Sequence, residues 1–218
     1  MKEMLLINAS PRTQGTSFVL LQMCKEYLEG KGHAVKLIHL YPSMKNTGEM
    51  WKAIKNADTL IISGPCYFNT YPADTIVFLE ELSGQKDLLH GQSLYGIIQG
   101  GMPYVHTHES GLSLLDMFSR KCNMSFMGGF VMGLGAMQNG RPVSKLPNAR
   151  TITRQLNIFF DHIEKGEVSP PAVYQKARFK MPSFVFSILA RKMNQSIDKD
   201  IRKQGMDVNQ ISPYLESN

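Results

Sequence analysis

Ile7-Asn8-Ala9-Ser10-Pro11-Arg12-Thr13-Gln14-Gly15-Thr16-Ser17 is the stretch that decides how this chain is read. The apolar run Met4-Leu5-Leu6-Ile7 leading into it is short enough for a buried strand, and a helical pattern begins near Thr16. A strand that ends in a small, hydroxyl-rich loop and turns into a helix N-terminus makes an anion site. Unpaired backbone N–H groups and the positive end of the helix dipole point at one spot. Ser10, Thr16 and Ser17 add hydroxyl donors around Gly15, and Arg12 adds charge. The expected guest is a phosphate. The bland alternative is an ordinary helix capped by Thr16 or Ser17.

The spacing narrows the phosphate. The loop lacks the Gly-Lys-Ser/Thr ending of a nucleoside-triphosphate loop and the Gly-x-Gly-x-x-Gly turn of a dinucleotide-binding fold. Gly133-Leu134-Gly135, near the end of a late apolar run, is weak evidence for the latter. A Ser/Thr-lined loop after the first strand suits the monophosphate of FMN.

Apolar runs alternate with helical patterns through residue 165. Strands are expected at 4–8, 35–40, 59–63, 93–99 and 126–134, and helices at 16–29, 47–56, 73–82, 109–122 and 149–165. Gly30-Lys31-Gly32 closes the first helix, Asn46 or Thr47 with Glu49 opens the second, and Pro72 stands at the start of the third. Five such alternations with continuous apolar strands imply an α/β domain, a parallel sheet covered by helices on both faces. Ligands of such sheets bind beyond the carboxyl ends of the strands, where the strand order reverses. The loops after the first, third and fourth strands would then share one rim.

The second of those loops, Gly64-Pro65-Cys66-Tyr67-Phe68-Asn69-Thr70-Tyr71-Pro72, is dense in aromatics and turn formers. Tyr67 and Phe68 offer flat apolar area, and exposed backbone groups suit the edge of a heterocycle. The third, Gly100-Gly101-Met102-Pro103-Tyr104, has paired glycines that let backbone approach a ligand closely. Plain packing and a tight turn are the competing readings of the two.

On these residues the chain resembles the flavodoxin-like NAD(P)H-dependent FMN reductases, including relatives of the iron–sulfur flavoproteins that lack the cluster. The likeness covers about residues 1–165 and rests on Asn8-Ala9-Ser10-Pro11-Arg12 with Gly15-Thr16-Ser17. Gly64-Pro65-x-Tyr67-Phe68 with Pro72-Ala73, and Gln99-Gly100-Gly101, complete it. The resemblance implies a flavodoxin-like, doubly wound, five-stranded parallel sheet of order 2-1-3-4-5. It also implies that Ser10, Arg12, Gly15, Thr16 and Ser17 hold the flavin phosphate. Pro65, Cys66, Tyr67, Phe68 and Asn69 would frame the isoalloxazine, with Gly100 and Gly101 beside it. NADPH or NADH would be the co-substrate, and a flavin, quinone, nitro or azo compound the acceptor. Tyr104 and His106 are expected to touch substrate. Hydride transfer at a flavin needs stacked, oriented rings and no nucleophile, which matches the lack of any catalytic triad or carboxylate pair. Iron–sulfur relatives carry a cysteine-rich insertion after the second strand; Leu40-Tyr41-Pro42-Ser43-Met44-Lys45 stands there instead, so no cluster is expected.

Composition bounds the rest. The 218 residues suffice for one good core with an appendage, and 43% hydrophobic with 19% charged residues is the balance of a soluble globular protein. Cys24, Cys66 and Cys122 lie far apart, which fits a reduced cytoplasmic protein without a metal framework. No stretch approaches the ~20 apolar residues of a membrane span, and the apolar run at the N-terminus is too short for a signal peptide. His106-Thr107-His108-Glu109 invites a metal reading but lacks a distant partner cluster. Cys66 has no cationic neighbour in sequence, so it reads as a small packed residue.

Residues 166–218 form a separate, basic, partly helical extension. Eight basic and two acidic residues between Lys176 and Lys203 account for the net charge of +6. Phe184, Phe186, Ile188 and Leu189 give this segment an apolar side, expected to pack on protein within a homodimer in preference to a lipid surface. No nucleic-acid-binding module accompanies the basic residues. A flavodoxin-type electron carrier, a class generally acidic where this chain carries +6, and a non-catalytic interaction protein on the same scaffold are the alternative functions.

Overall fold

The computed structural model describes residues 1–177 and 183–207. Its elements in chain order begin with β1 (Glu3–Asn8), α1 (Thr16–Glu29), β2 (Ala34–His39), a short α2 (Leu40–Ser43) and α3 (Gly48–Asn56). There follow β3 (Thr59–Pro65), α4 (Ala73–Gly84), β4 (Ser93–Gln99), α5 (Glu109–Lys121) and β5 (Ser125–Met132). A one-turn α6 (Gly135–Gln138), α7 (Ala149–Lys165), α8 (Ala172–Lys176) and α9 (Ser183–Lys203) complete the order.

The strands form one parallel sheet in the order β2-β1-β3-β4-β5. β3 is buried at all seven positions and β1 at five of six, which is why both read as unbroken apolar runs. Helices cover both faces. On one, Tyr27 of α1 meets Phe160 of α7 with ring centroids 5.7 Å apart; on the other, Trp51 of α3 stacks on Phe78 of α4 at 5.9 Å. α7 buries Ile152, Leu156, Phe159, Phe160 and Ile163, a stripe at three- and four-residue spacing. The flavodoxin-like architecture and strand order expected from the resemblance are those observed.

Two compact units result, Met1–Phe179 and Lys180–Asn218. Residues beyond α7 belong in part to the first. The Ser169 amide bonds the Met127 carbonyl beside β5, Val173 and Tyr174 of α8 are buried, and the Tyr174 hydroxyl donates to Glu109 Oε1 at 2.9 Å. The chain expected to leave the domain at residue 166 therefore returns to it for about one more turn of helix. In the second unit, α9 exposes Phe184, Ile188, Met193 and Ile197. Phe186 and Leu189 of the expected apolar side lie outside the residues whose side chains are described.

Candidate functional site

A parallel sheet brings the loops after β1, β3, β4 and β5 to its carboxyl edge, and backbone bonds lock them together. Ala9 N–H donates to Ser63 O at 2.7 Å, Cys66 N–H to Gln99 O at 2.6 Å, and Gly100 N–H to Met132 O at 3.1 Å. The three loops singled out from sequence thus lie on one rim. The fourth, residues 133–140, folds over the first. Leu134 N–H bonds Met102 O at 3.0 Å, and Thr16 Oγ1 donates to Gly135 O at 2.8 Å. Arg12 Nη1 donates to Asn139 Oδ1 at 2.9 Å. A Cβ on Gly140, whose φ is +78°, would stand 2.3 Å from the Gln14 carbonyl.

The loop after β1 has the electrostatics of an anion site. The α1 N-cap is Gly15, with an extended backbone and no side-chain cap, and the first turn holds no acidic residue. The first amide to bond within the helix is that of Val19, to Gly15 O at 3.1 Å. Among the described residues the N–H groups of Gly15, Thr16, Ser17 and Phe18 find no protein acceptor. Ser17 Oγ is buried without a partner. A buried donor left unmet costs about 1–3 kcal/mol, so such a cluster calls for a ligand. These groups fit the phosphate of a mononucleotide. Thr16 differs from Ser17: its hydroxyl proton already serves Gly135.

The other site residues divide between holding the rim and facing outward. Phe68 (φ 48°) and Asn69 (φ 65°) are both left-handed and form the tip of a tight hairpin closed by Tyr67 N–H to Thr70 O at 2.7 Å. Phe68 is fully exposed and Tyr67 half-exposed, while Asn69 O accepts from Ser110 Oγ. Pro65 ends β3 opposite Gln99. Cys66 is a free thiol, part-buried, with Sγ 3.8 Å from Thr107 O; burial pushes its pKa up, against a reactive thiolate. Tyr41 of α2 lies near Asp74 in the first turn of α4. Burial and then that carboxylate push its phenol up to about 12. Tyr71, last aromatic of this loop, is core, its hydroxyl donating to Ile97 O at 3.2 Å.

In the third loop the two glycines differ. A Cβ on Gly100 would lie 2.3 Å from the His108 ring, whereas Gly101 has Ala136 Cβ at 3.9 Å and is otherwise open. Tyr104 is half-exposed and stacks on His106 at 5.7 Å, so both face the rim. His108 is buried, with Nε2 3.1 Å from Met102 O, and shapes the loop from beneath. Among the described residues no three His, Cys, Asp or Glu side chains converge as a metal site. Asn139 and Gly140 carry no signal in the sequence, Gly135 stands there only as part of a weak Gly-x-Gly, and His108 only as part of a metal reading, not as the residue beneath the third loop.

A family model described as NADPH-dependent FMN reductase matches residues 3–137. Among solved structures, the chain is similar to an apo NADH:FMN oxidoreductase at 21% identity and TM-score 0.61, over 80% of this chain and 94% of that one. General stress protein 14 of Treponema denticola in complex with FMN aligns at 14% identity and TM-score 0.53, over 75% and 98%. An FMN-dependent NADH-azoreductase from Bacillus anthracis in complex with FMN aligns at 14% and 0.54, over 74% and 99%. At these identities the structural likeness establishes the fold alone. The search of curated proteins finds no match.

Proposed function

The chain belongs to the NADPH-dependent FMN reductase family, and on that premise we propose that it is an FMN-dependent NAD(P)H oxidoreductase with its phosphate loop at residues 10–18. The observation that carries the reading is the set of acceptor-less N–H groups on Gly15, Thr16, Ser17 and Phe18 around the orphan Ser17 hydroxyl. Bound there, FMN would supply hydride acceptance from a reduced nicotinamide and delivery to a second substrate.

The chain's own residues do the holding and the shaping. Ser17 Oγ and the four amides receive the phosphate, with Ser10 and Arg12 at its edge. The Pro65–Asn69 turn and the Gly100–Gly101 backbone frame the ring. Phe68, Tyr67 and Tyr104 offer flat apolar area on which nicotinamide and acceptor stack in turn, and His106 stands beside Tyr104. A small planar acceptor, such as a flavin, quinone, nitro or azo compound, suits that surface. The basic extension is assigned to a homodimer, with α9 covering an apolar face of its partner.

Anaerobic stopped-flow mixing of the FMN-loaded protein with NADPH and with NADH tests the reading. Bleaching of the flavin absorbance with at least one nicotinamide is expected. A flavin that stays oxidised with both contradicts the reductase reading and favours the carrier.

A further inference from the structure

Asn8 sits at the end of β1, fully buried, directly opposite His39 at the end of β2. Its side-chain amide is fully engaged. Oδ1 accepts from Ser10 N–H at 3.2 Å; Nδ2 lies 3.4 Å from the Arg12 carbonyl and 2.9 Å from His39 Nδ1. Reversing the amide would set an oxygen against the Arg12 carbonyl and NH2 against the Ser10 N–H, so the network fixes its orientation. His39 Nδ1 must then accept, which makes the ring neutral with its proton on Nε2. Burial, which lowers the His39 pKa, favours the same form. The same ring leans on Phe18 in the first turn of α1, centroids 5.2 Å apart and planes 32° apart. One imidazole thus braces both sides of the anion site. Through Asn8 it holds residues 10 and 12, and through Phe18 the helix turn that carries the free amides.

We infer that His39 is a positioning residue for the cofactor's phosphate loop, acting as a neutral hydrogen-bond acceptor for Asn8. The role deepens the FMN reading and rests on it. His39 touches no reacting atom; it sets the loop that receives the phosphate. Without the acceptor, an Asn8 N–H is left unmet in a buried position, and the amide can turn away from Ser10 and Arg12. The loss should fall on the phosphate, because the residues this network holds, Ser10, Arg12 and Phe18, belong to the loop assigned to the phosphate. Asparagine at position 39 carries an oxygen where Nδ1 stood, so it retains the acceptor without the imidazole.

Titration of apo protein with FMN and with riboflavin, which lacks the phosphate, separates the possibilities. His39→Leu is expected to weaken FMN about tenfold, as befits one buried hydrogen bond, with riboflavin affinity unchanged. His39→Asn should restore FMN binding. Equal FMN affinity in wild type and His39→Leu overturns the role, as does equal loss of both flavins, which marks a general structural effect. Should His39→Leu fail to fold, long-range 1H–15N correlations on the wild-type ring still decide. A proton on Nε2 is expected, and a proton on Nδ1 overturns the inference. A wild-type chain that binds neither flavin overturns the cofactor reading itself, and the positioning role with it.

Discussion

Thr16 donates its hydroxyl proton to the Gly135 carbonyl across 2.8 Å, joining residues 119 apart in the chain. The bond closes the loop after β5 over the loop after β1, and it separates two neighbouring hydroxyls that look alike in sequence. Thr16 is committed to the protein, whereas Ser17 Oγ is buried and free.

The two substitutions should therefore part company. Thr16→Val keeps the shape but strands a buried carbonyl, and should lower apo stability by about 1–3 kcal/mol. Ser17→Ala removes an unmet buried hydroxyl, so it should not lower the apo melting temperature, and it should weaken FMN by about ten- to a hundredfold, the worth of one hydrogen bond to a charged group. Thermal melts of the apo protein and FMN titrations of both variants check this. Ser17→Ala with undiminished FMN affinity would contradict the placement of the phosphate.

Adjacent glycines in the third loop predict a second contrast. Gly100→Ala drives a methyl to within 2.3 Å of the buried His108 ring, which must move off the Met102 carbonyl. Overpacking of this kind costs about 1–3 kcal/mol. Gly101→Ala meets nothing closer than 3.9 Å and should melt like the wild type. Equal melting temperatures for the two variants would refute the role assigned to His108.

Acid should act on the apo protein through His39. Its folded pKa is lowered by burial, so as pH falls toward the unfolded value the unfolded chain binds the proton first. Stability contributed by the neutral ring is present above the unfolded pKa of about 6.5 and is lost as pH falls through the folded pKa. In melts between neutral and acid pH, His39→Asn should show a shallower acid decline than the wild type. Identical profiles would indicate that the ring does not titrate in this window.

Deleting residues 180–218 tests the homodimer. The remaining chain keeps the whole of the first compact unit, so it should stay folded and retain FMN while its mass in solution falls from dimer to monomer. A wild-type protein that is already monomeric, with liposome binding lost on truncation, would assign the basic helix to anionic lipid instead.

Much of this site was legible because its signals are local. A strand, a hydroxyl-rich loop and a helix start lie within residues 4–17, and continuous apolar runs announce a sheet buried on both faces. Other parts depend on contacts that no local pattern encodes. Asn139 and Gly140 meet Arg12 and Gln14 only after β5 is in place, and β1 must pair with β2 before Asn8 faces His39. Tyr71 shows the opposite difficulty. It stands in an aromatic loop that reads as a ligand surface, yet it is buried against Gly64, where a Cβ would stand 2.6 Å from its ring. The extent of α8 was hidden for a similar reason, since its hold on the domain comes from Tyr174 reaching Glu109.

On the proposed reading the amides of Gly15, Thr16, Ser17 and Phe18 receive the flavin phosphate. Backbone 1H–15N spectra of the apo protein titrated with FMN and with riboflavin measure it most directly. Large downfield shifts of these four amide protons are expected with FMN and not with riboflavin, while residues 64–69 and 100–104 respond to both ligands. Equal shifts at residues 15–18 with the two ligands, or none with FMN, would contradict it.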